Sequence, residues 1–562
     1  MIVSETEALP RAANNGRSGF SARIRRRRRL GAGWWATAAF CALTLLPLVP
    51  IASALFAPTA DVWAHVGPLL PGLTLNTLWL VLGAALGTGF MGTGLAWLTA
   101  LCEFPGRRFF SWALMLPLAI PAYVFAFVVV GLFDFSGPVA SAWRGWLGDQ
   151  AWFPTIRSVG GVILTFCFSL YPYVYLLARN AFLTQSGRAL EAARSLGETA
   201  FGGFWRIALP MARPWIGAGV MLVVMETLAD FGAVSVFNYD TFTTAIYKAW
   251  FGLFSLPAAA QLASFLMAFA LLALTLEQQQ RARQRYTLSS RSGNGTRSIR
   301  LRGARRWCAA GCAALVLLMA FVMPLIQLLT WSAGVFTTDW DERFNDYFLN
   351  TLVMAAGGGL LIVAVALILS LVRRRYPDWK TALMVRLATL GYSLPGTVLA
   401  VGIFIPFAWL DNRLIDGARA LLDAQLAPVF GGGLAVLLLA YLIRFLAVGF
   451  GATDSALQRI TPAMEEASRS MGVSGFAMLR RVHIPLLRGG LLSAFLLAFV
   501  DIMKEMPVTL LMRPFGWDSL AVRIFEMTSE GEWQRAALPA VVLVLAGLLP
   551  IFLLIRASEI QQ

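Results

Sequence analysis

The chain has 562 residues, 58% apolar and 14% charged, with 46 Lys and Arg against 30 Asp and Glu for a net charge of +16. Soluble domains average roughly 45–50% apolar and about 25% charged residues, so a soluble globular protein is excluded. The positive excess does not signal nucleic acid either, because it is sorted along the chain as described below.

A helix crosses about 30 Å of hydrocarbon with roughly twenty apolar residues, and runs of that length recur throughout. The chain opens on a basic arm, residues 1–32, carrying Arg25-Arg26-Arg27-Arg28-Arg29. Such a run anchors a cytoplasmic end near anionic lipid. The apolar run that follows is long and no small-residue cleavage site stands out, so it reads as a retained first span rather than a secretory signal.

The first half, residues 33–277, contains spans at 33–56, 75–101, 109–132, 159–178, 215–236 and 257–277. Asn76-Thr77-Leu78 opens its second span, and Ala119-Ile120-Pro121 lies within its third. Between the fourth and fifth spans stands a polar loop, Glu191-Ala192-Ala193-Arg194-Ser195-Leu196-Gly197, and after it Ile207-Ala208-Leu209-Pro210. Glu191 to Leu196 favours a short helix, and Gly197 suits the left-handed stop that ends one. Residues 198–208 form a second short segment with apolar Phe201, Phe204, Trp205 and Ile207, which Pro210 and Pro214 are expected to break. Glu226 and Asp230 follow inside the fifth span, one helical turn apart.

A polar, Arg-rich connector at 278–306, with Ser290, Ser292, Gly293, Asn294 and Gly295 in its middle, leads to the second half, 307–562. Its spans lie at 307–331, 348–372, 386–409, 430–452, 489–511 and 536–555. The marks of the first half return at offsets of 274 or 275: Asn350-Thr351-Leu352, Ser393-Leu394-Pro395, and Asp501 with Glu505. The loop returns as Glu466-Ala467-Ser468-Arg469-Ser470-Met471-Gly472, followed by Val482-His483-Ile484-Pro485. Six spans per half make this a parallel repeat about an axis along the membrane normal. With both termini in the cytoplasm, Lys and Arg fall overwhelmingly on the cytoplasmic side and acids tilt outward, as the positive-inside bias requires. The fold class is therefore an all-α polytopic membrane protein of about twelve transmembrane helices in two homologous six-helix halves.

The loop's pattern resembles the EAA loop of permease subunits in binding-protein-dependent ABC importers. The first copy fits at every marked position; the second departs at Ser468, Val482 and Ile484. The resemblance implies a type I importer permease fold in which Glu191, Ala192, Ala193, Gly197, Glu466, Ala467 and Gly472 shape two docking loops for two ATP-binding subunits. It also implies a periplasmic substrate-binding protein, received by external loops such as 237–256 and 512–535, and a place in the bacterial inner membrane. The three lysines, Lys248, Lys380 and Lys504, include none in a phosphate-cradling Gly-x-x-x-x-Gly-Lys pattern, so ATP hydrolysis is expected on another polypeptide. No cofactor is expected in this chain, nor a tightly bound metal, since the five cysteines form no CxxC pair and the histidines are only His65 and His483.

Six charges fall within spans: Glu226, Asp230, Arg444, Asp501, Lys504 and Glu505. Each costs on the order of 2.5–3.5 kcal/mol at a span's centre. Glu226, Asp230, Asp501 and Glu505 are candidates for an anionic translocation path suited to a hard cation. Ion pairing of Asp501 with Lys504 and of the other acids with Arg444 is the alternative. Met225-Glu226-Thr227-Leu228-Ala229-Asp230-Phe231-Gly232-Ala233-Val234, Asp240-Thr241-Phe242-Thr243-Thr244-Ala245-Ile246-Tyr247, Val500-Asp501-Ile502-Met503-Lys504-Glu505-Met506-Pro507 and Leu511-Met512-Arg513-Pro514-Phe515 are similar to the ferric-iron import permeases of the superfamily. Ferric iron is the cargo that this resemblance implies. Fused permeases for thiamine and for phosphonates share the architecture. An ion-coupled secondary transporter would explain the acids but not the duplicated loop, and a membrane-embedded enzyme would find no His-rich or Ser-His cluster to work with.

Overall fold

Hydrocarbon offers no partner to a backbone N–H or C=O, so a spanning chain must satisfy these groups within its own helices. The structure, a computed structural model, describes residues 31–56, 60–149, 151–184, 186–285, 299–422 and 427–559. The basic run at 25–29 and the middle of the connector lie outside the described residues. Among the described residues, eleven helical stretches are long and apolar enough to cross a membrane. The twelfth expected span lies in Trp533–Glu559, which is apolar over Trp533–Leu549. A single two-residue strand pair, Cys102–Glu103 beside Ile299–Arg300, ties the end of the connector to the loop after the second span.

In chain order the first half comprises α1 (Ala32–Leu45), α2 (Leu48–Phe56), α3 (Leu70–Leu101), α4 (Ala122–Phe133), α5 (Val159–Thr184), α6 (Ser186–Ser195), α7 (Leu209–Ala229), α8 (Gly232–Val236) and α9 (Leu256–Arg285). The second comprises α10 (Ala304–Leu317), α11 (Met323–Asp339), α12 (Glu342–Arg375), α13 (Trp379–Ala388), α14 (Gly396–Leu422), α15 (Leu434–Leu457), α16 (Pro462–Ser470), α17 (Ile484–Lys504), α18 (Pro507–Met512), α19 (Leu520–Ser529) and α20 (Trp533–Glu559). Helix α9 runs on to Arg285, past the expected start of the connector at 278.

Besides the turn at Leu46-Pro47 within the first span, four expected spans are interrupted, in two equivalent pairs. The third and ninth each pass through a 3₁₀ turn, Leu116–Ala119 and Leu390–Ser393, before α4 and α14 begin beyond Pro121 and Pro395. Proline has no N–H to give and disfavours helix in the residue before it, so the chain restarts there. The fifth and eleventh stop at Asp230 and Glu505, both extended (ψ 133° and 116°), and resume as α8 and α18. Glu226 and Asp230 therefore do not share one continuous helical face, and neither do Asp501 and Glu505.

The prolines after the repeated loops behave otherwise than expected. Pro210 and Pro485 break nothing: π turns at Phe204–Ala208 and Leu479–His483 run directly into α7 and α17, and Pro214 lies inside α7. The wider turn shifts the hydrogen-bond register just ahead of the proline, and Pro within the first turn lacks only an N–H that a helix start leaves unpaired anyway.

The first span of each half leans on the other half. Helix α1 packs on α12 and α13, with Thr44 Oγ1 donating to Ala388 O at 3.2 Å. Reciprocally, Trp331 of α11 stacks on Phe127 of α4 at 6.3 Å. A β-carbon on Gly131 would stand 2.6 Å from the Trp331 ring, so the absent side chain admits it. Outward-facing Leu86 and Phe90 are 74% and 86% exposed, which suits lipid rather than water.

Candidate functional site

The repeated loops fold alike. Helices α6 and α16 end in Gly197 (φ +91°) and Gly472 (φ +79°), the left-handed stops anticipated from sequence. Each end closes with the same long-reach bond, Glu198 N to Ala193 O at 3.0 Å and Val473 N to Ser468 O at 2.9 Å, as in a Schellman cap. Ala193 and Ser468 face inward, while Glu191, Ala192, Glu466 and Ala467 are exposed. Leu196 and Met471, equivalent positions just before the glycines, are 86% and 75% exposed. An apolar residue directly before the stop glycine recurs in both copies and is the sequence signal for this exposed pair.

The Asn-Thr-Leu repeats also find equivalent work. Asn76 Nδ2 donates to Asp240 O at 3.0 Å, and Asn350 Nδ2 to Gly516 O at 3.1 Å. Each opening residue thus ties the second span of its half to the loop that follows α8 or α18.

The charged residues of the spans gather where the halves meet. Helices α7 and α17 stop in mid-bundle, leaving the first N–H groups of α8 and α18 without intrahelical acceptors. Asp230 Oδ1 takes those of Ala233 and Val234 (2.9 and 3.3 Å), and Glu505 Oε1 takes that of Val508 (2.9 Å). The carboxylate caps at the two breaks are thus equivalent, while the main-chain oxygens accept from non-equivalent threonines, Thr243 Oγ1 at 2.7 Å and Thr509 Oγ1 at 2.9 Å. Glu505 Oε2 also pairs with Arg444 Nε at 3.0 Å, and Arg444 Nη1 reaches Leu394 O at 3.1 Å. A β-carbon on Gly396 would lie 3.0 Å from Arg444 Nη1 and 3.1 Å from Glu505 Oε1, so glycine leaves room for the pair.

Of the ion pairs expected from sequence, Arg444–Glu505 forms. Lys504 instead sends Nζ across to Leu118 O of the first half at 3.2 Å. Two cavities of about 230 and 240 Å³ adjoin here. Tyr173, Glu226, Arg444, Asp501 and Lys504 line both; Asp230 lines only the first and Glu505 only the second. The four candidate path carboxylates are thus brought together, but they divide into two that cap helices and two, Glu226 and Asp501, that do not.

Phe231, in the hinge between α7 and α8, is a common wall of the first cavity and of a third, about 390 Å³, lined by Asp240, Lys248 and Glu526. Its ring is 1% exposed and packs on Tyr247 and on Phe525 of the other half, at 5.2 and 5.3 Å. Sequence reasoning missed this septum, because a phenylalanine in an apolar span carries no distinguishing signal. Among the described residues no three of His, Cys, Asp and Glu stand as a metal-binding group.

Residues 361–562 match the family described as the binding-protein-dependent transport system inner membrane component. The chain is 28% identical over 497 residues to the Fe(3+)-transport system permease protein FbpB 2 of Haemophilus influenzae, covering 87% of this chain and 90% of that one. It is 22% identical over 452 residues to the ferric transport system permease protein FbpB of Actinobacillus pleuropneumoniae, covering 75% of this chain and 62% of that one. It is 30% identical over 241 residues to a probable molybdenum ABC transporter permease protein of Haloferax volcanii, which takes 42% of this chain and 85% of the relative. The last is matched nearly whole by under half of this chain, whereas FbpB 2 is matched by nearly all of it. The chain therefore belongs to the inner-membrane permease family of binding-protein-dependent ABC transport systems, as a member that holds two permease halves in one polypeptide.

Proposed function

We propose that this permease carries ferric iron from a periplasmic binding protein into the cytoplasm, driven by two copies of a separate ATPase. One observation carries the choice of cargo: the cavities between the halves are lined by five carboxylates, the four candidates and Glu277, against one arginine and one lysine. A surplus of hard oxygen donors suits a hard cation and repels an oxyanion. That agrees with the ferric transport for which the relatives matched over most of this chain are named, rather than the molybdenum or sulfate for which half-length relatives are named. Glu226 and Asp501 line the path, while Asp230 and Glu505 brace its broken helices.

The two loops ending at Gly197 and Gly472 are the docking sites for the ATPase, with Leu196 and Met471 as apolar anchors beside exposed Glu191 and Glu466. Six spans separate the loops, so they lie on one side of the membrane, which the positive-inside bias makes the cytoplasm. Both termini then lie in the cytoplasm. ATP binding draws the docking loops together, and the halves rock about the charged cavities to open them alternately to either side.

The test is uptake of radiolabelled ferric iron into vesicles holding the permease, its ATPase and an iron-loaded binding protein, with and without internal ATP. ATP-dependent uptake supports the proposal. Uptake that survives ATP depletion under a proton gradient refutes the ABC drive. ATPase activity stimulated by binding protein without iron uptake refutes the cargo and turns the assay to thiamine and phosphonates.

A further inference from the structure

The two docking loops, alike in backbone, are fastened to the bundle by opposite means. In the second, Glu465 lies one residue before the repeated Glu466 and turns inward, its side chain 14% exposed. Its Oε1 is 2.8 Å from Arg374 Nε, at the end of α12, and 3.2 Å from His483 Nε2, in the π turn that enters α17. Arg374 also donates to the ends of the tenth span, Nη1 to Leu457 O at 2.7 Å and Nη2 to Ile460 O at 2.6 Å. Three side chains thus join the docking helix, the eighth span, the tenth span and the entry to the eleventh.

The equivalent positions in the first half, at the repeat's offsets of 275 for Glu465 and His483 and 274 for Arg374, are Leu190, Ala208 and Ala100. All three are buried, and none is charged. There the loop is held by apolar contact: Leu190 packs under Gly203, where a β-carbon would come within 2.7 Å of it. The Phe204 ring lies 4.6 Å from that of Trp97 and 6.4 Å from that of Phe182. The whole triad differs between the halves, so it stands or falls as a unit.

Charge-assisted hydrogen bonds fix distance and direction, whereas apolar contact is non-directional and lets surfaces slide. We propose that Glu465, Arg374 and His483 form a polar joint that positions the second docking helix and carries its displacement rigidly into α12 and α17. Among the described residues the first loop shows no buried charged joint of this kind, its ion pair of Glu198 with Arg206 being exposed, so the two ATPase contacts are mechanically unequal. This rests on the assignment of the loops as ATPase docking sites. Glu465 is a positioning residue, acting through the spans it ties together.

The experiment reads that motion without cargo. In the permease–ATPase complex in nanodiscs, with Cys308→Ser and Cys312→Ser removing the exposed thiols, nitroxides are placed through Arg213→Cys and Arg488→Cys. These are exposed and equivalent positions near the starts of α7 and α17. Their separation is measured by pulsed electron resonance with and without ATP. The unmodified joint should give an ATP-driven change in distance that Glu465→Gln loses while the ATPase stays bound. The triple variant Glu465→Leu/Arg374→Ala/His483→Ala, which installs the first half's residues, should assemble and recover part of the change. An unaltered shift in Glu465→Gln overturns the joint, as does loss of ATPase binding in Glu465→Gln, which makes Glu465 a docking contact instead. A triple variant no better than Glu465→Gln also overturns it, because the residues then do not act as a unit. If the unmodified chain neither binds the ATPase nor moves, the docking assignment itself fails.

Discussion

Removing either partner of the Arg444–Glu505 pair should destabilise the protein far more than removing both. The pair is 3.0 Å long, and its side chains are 14% and 5% exposed. Two unit charges about 4 Å apart at an effective dielectric of about 20 attract by roughly 4 kcal/mol. Stranding one of them in the bundle costs about 3–5 kcal/mol, whereas replacing a buried pair with apolar residues of similar volume is often close to neutral. Glu505→Gln keeps an oxygen for Val508 N–H, so it isolates the charge from the cap. Arg444→Met gives up the bond to Leu394 O as well, a further loss of about 1 kcal/mol. A cycle of Glu505→Gln, Arg444→Met and the double variant should therefore show a coupling of about 3 kcal/mol. The unfolding equilibrium in mixed micelles can be followed with a thiol-reactive dye in a Cys308→Ser/Cys312→Ser background, because the remaining Cys41, Cys102 and Cys167 are buried and report only when the bundle opens. Additive single variants, with coupling under about 1 kcal/mol, would refute the structural pair and return Glu505 to the path.

Three other outcomes are expected. Glu226→Gln with Asp501→Asn should abolish ferric uptake while binding-protein-stimulated ATP hydrolysis and unfolding stability stay near those of the parent; loss of stability instead would make both acids structural. Phe231→Ala should open an ATP-independent leak between the cavities, read as efflux of a small cation from loaded vesicles, and should cost about 3–5 kcal/mol of stability as the ring is removed. Gly197→Pro and Gly472→Pro cannot adopt φ of +91° and +79°, so uptake per ATP hydrolysed should fall in each, and unchanged transport would count against the docking loops.

Spans, duplication and the fold of the repeated loops were legible in the sequence, because each rests on a local pattern: apolar length, register and the letter before a turn. Gly197 and Gly472 announced their left-handed stops for the same reason. The helix breaks were not legible. Nothing beside Asp230 marks its break, Pro507 two residues past Glu505 was a signal not used, and only the tertiary course shows that each acid ends one helix and caps the next. Pro210 and Pro485 misled in the other direction, since a π turn is a register shift with no residue signature. The joint at Glu465 was hidden by its neighbour Glu466. Which of two adjacent acids turns inward depends on α16's rotation against α12, and nothing in the loop's own letters sets that angle.

The broken helices change what the membrane charges must account for. Four carboxylates in apolar spans first look like one anionic feature with one purpose. A helix that stops in hydrocarbon, however, exposes N–H groups that no water can satisfy, and a carboxylate is the strongest acceptor a side chain can place there. Asp230 and Glu505 meet that need at equivalent breaks, and Arg444 balances one of them. Backbone chemistry alone therefore accounts for this pair, whatever the cargo. Glu226 and Asp501 cap nothing, yet both border the two cavities between the halves. Glu226 takes a hydrogen bond from Tyr392 of the other half, which offsets part of its desolvation, but the demand for a functional explanation still falls on these two residues more than on the helix-capping pair.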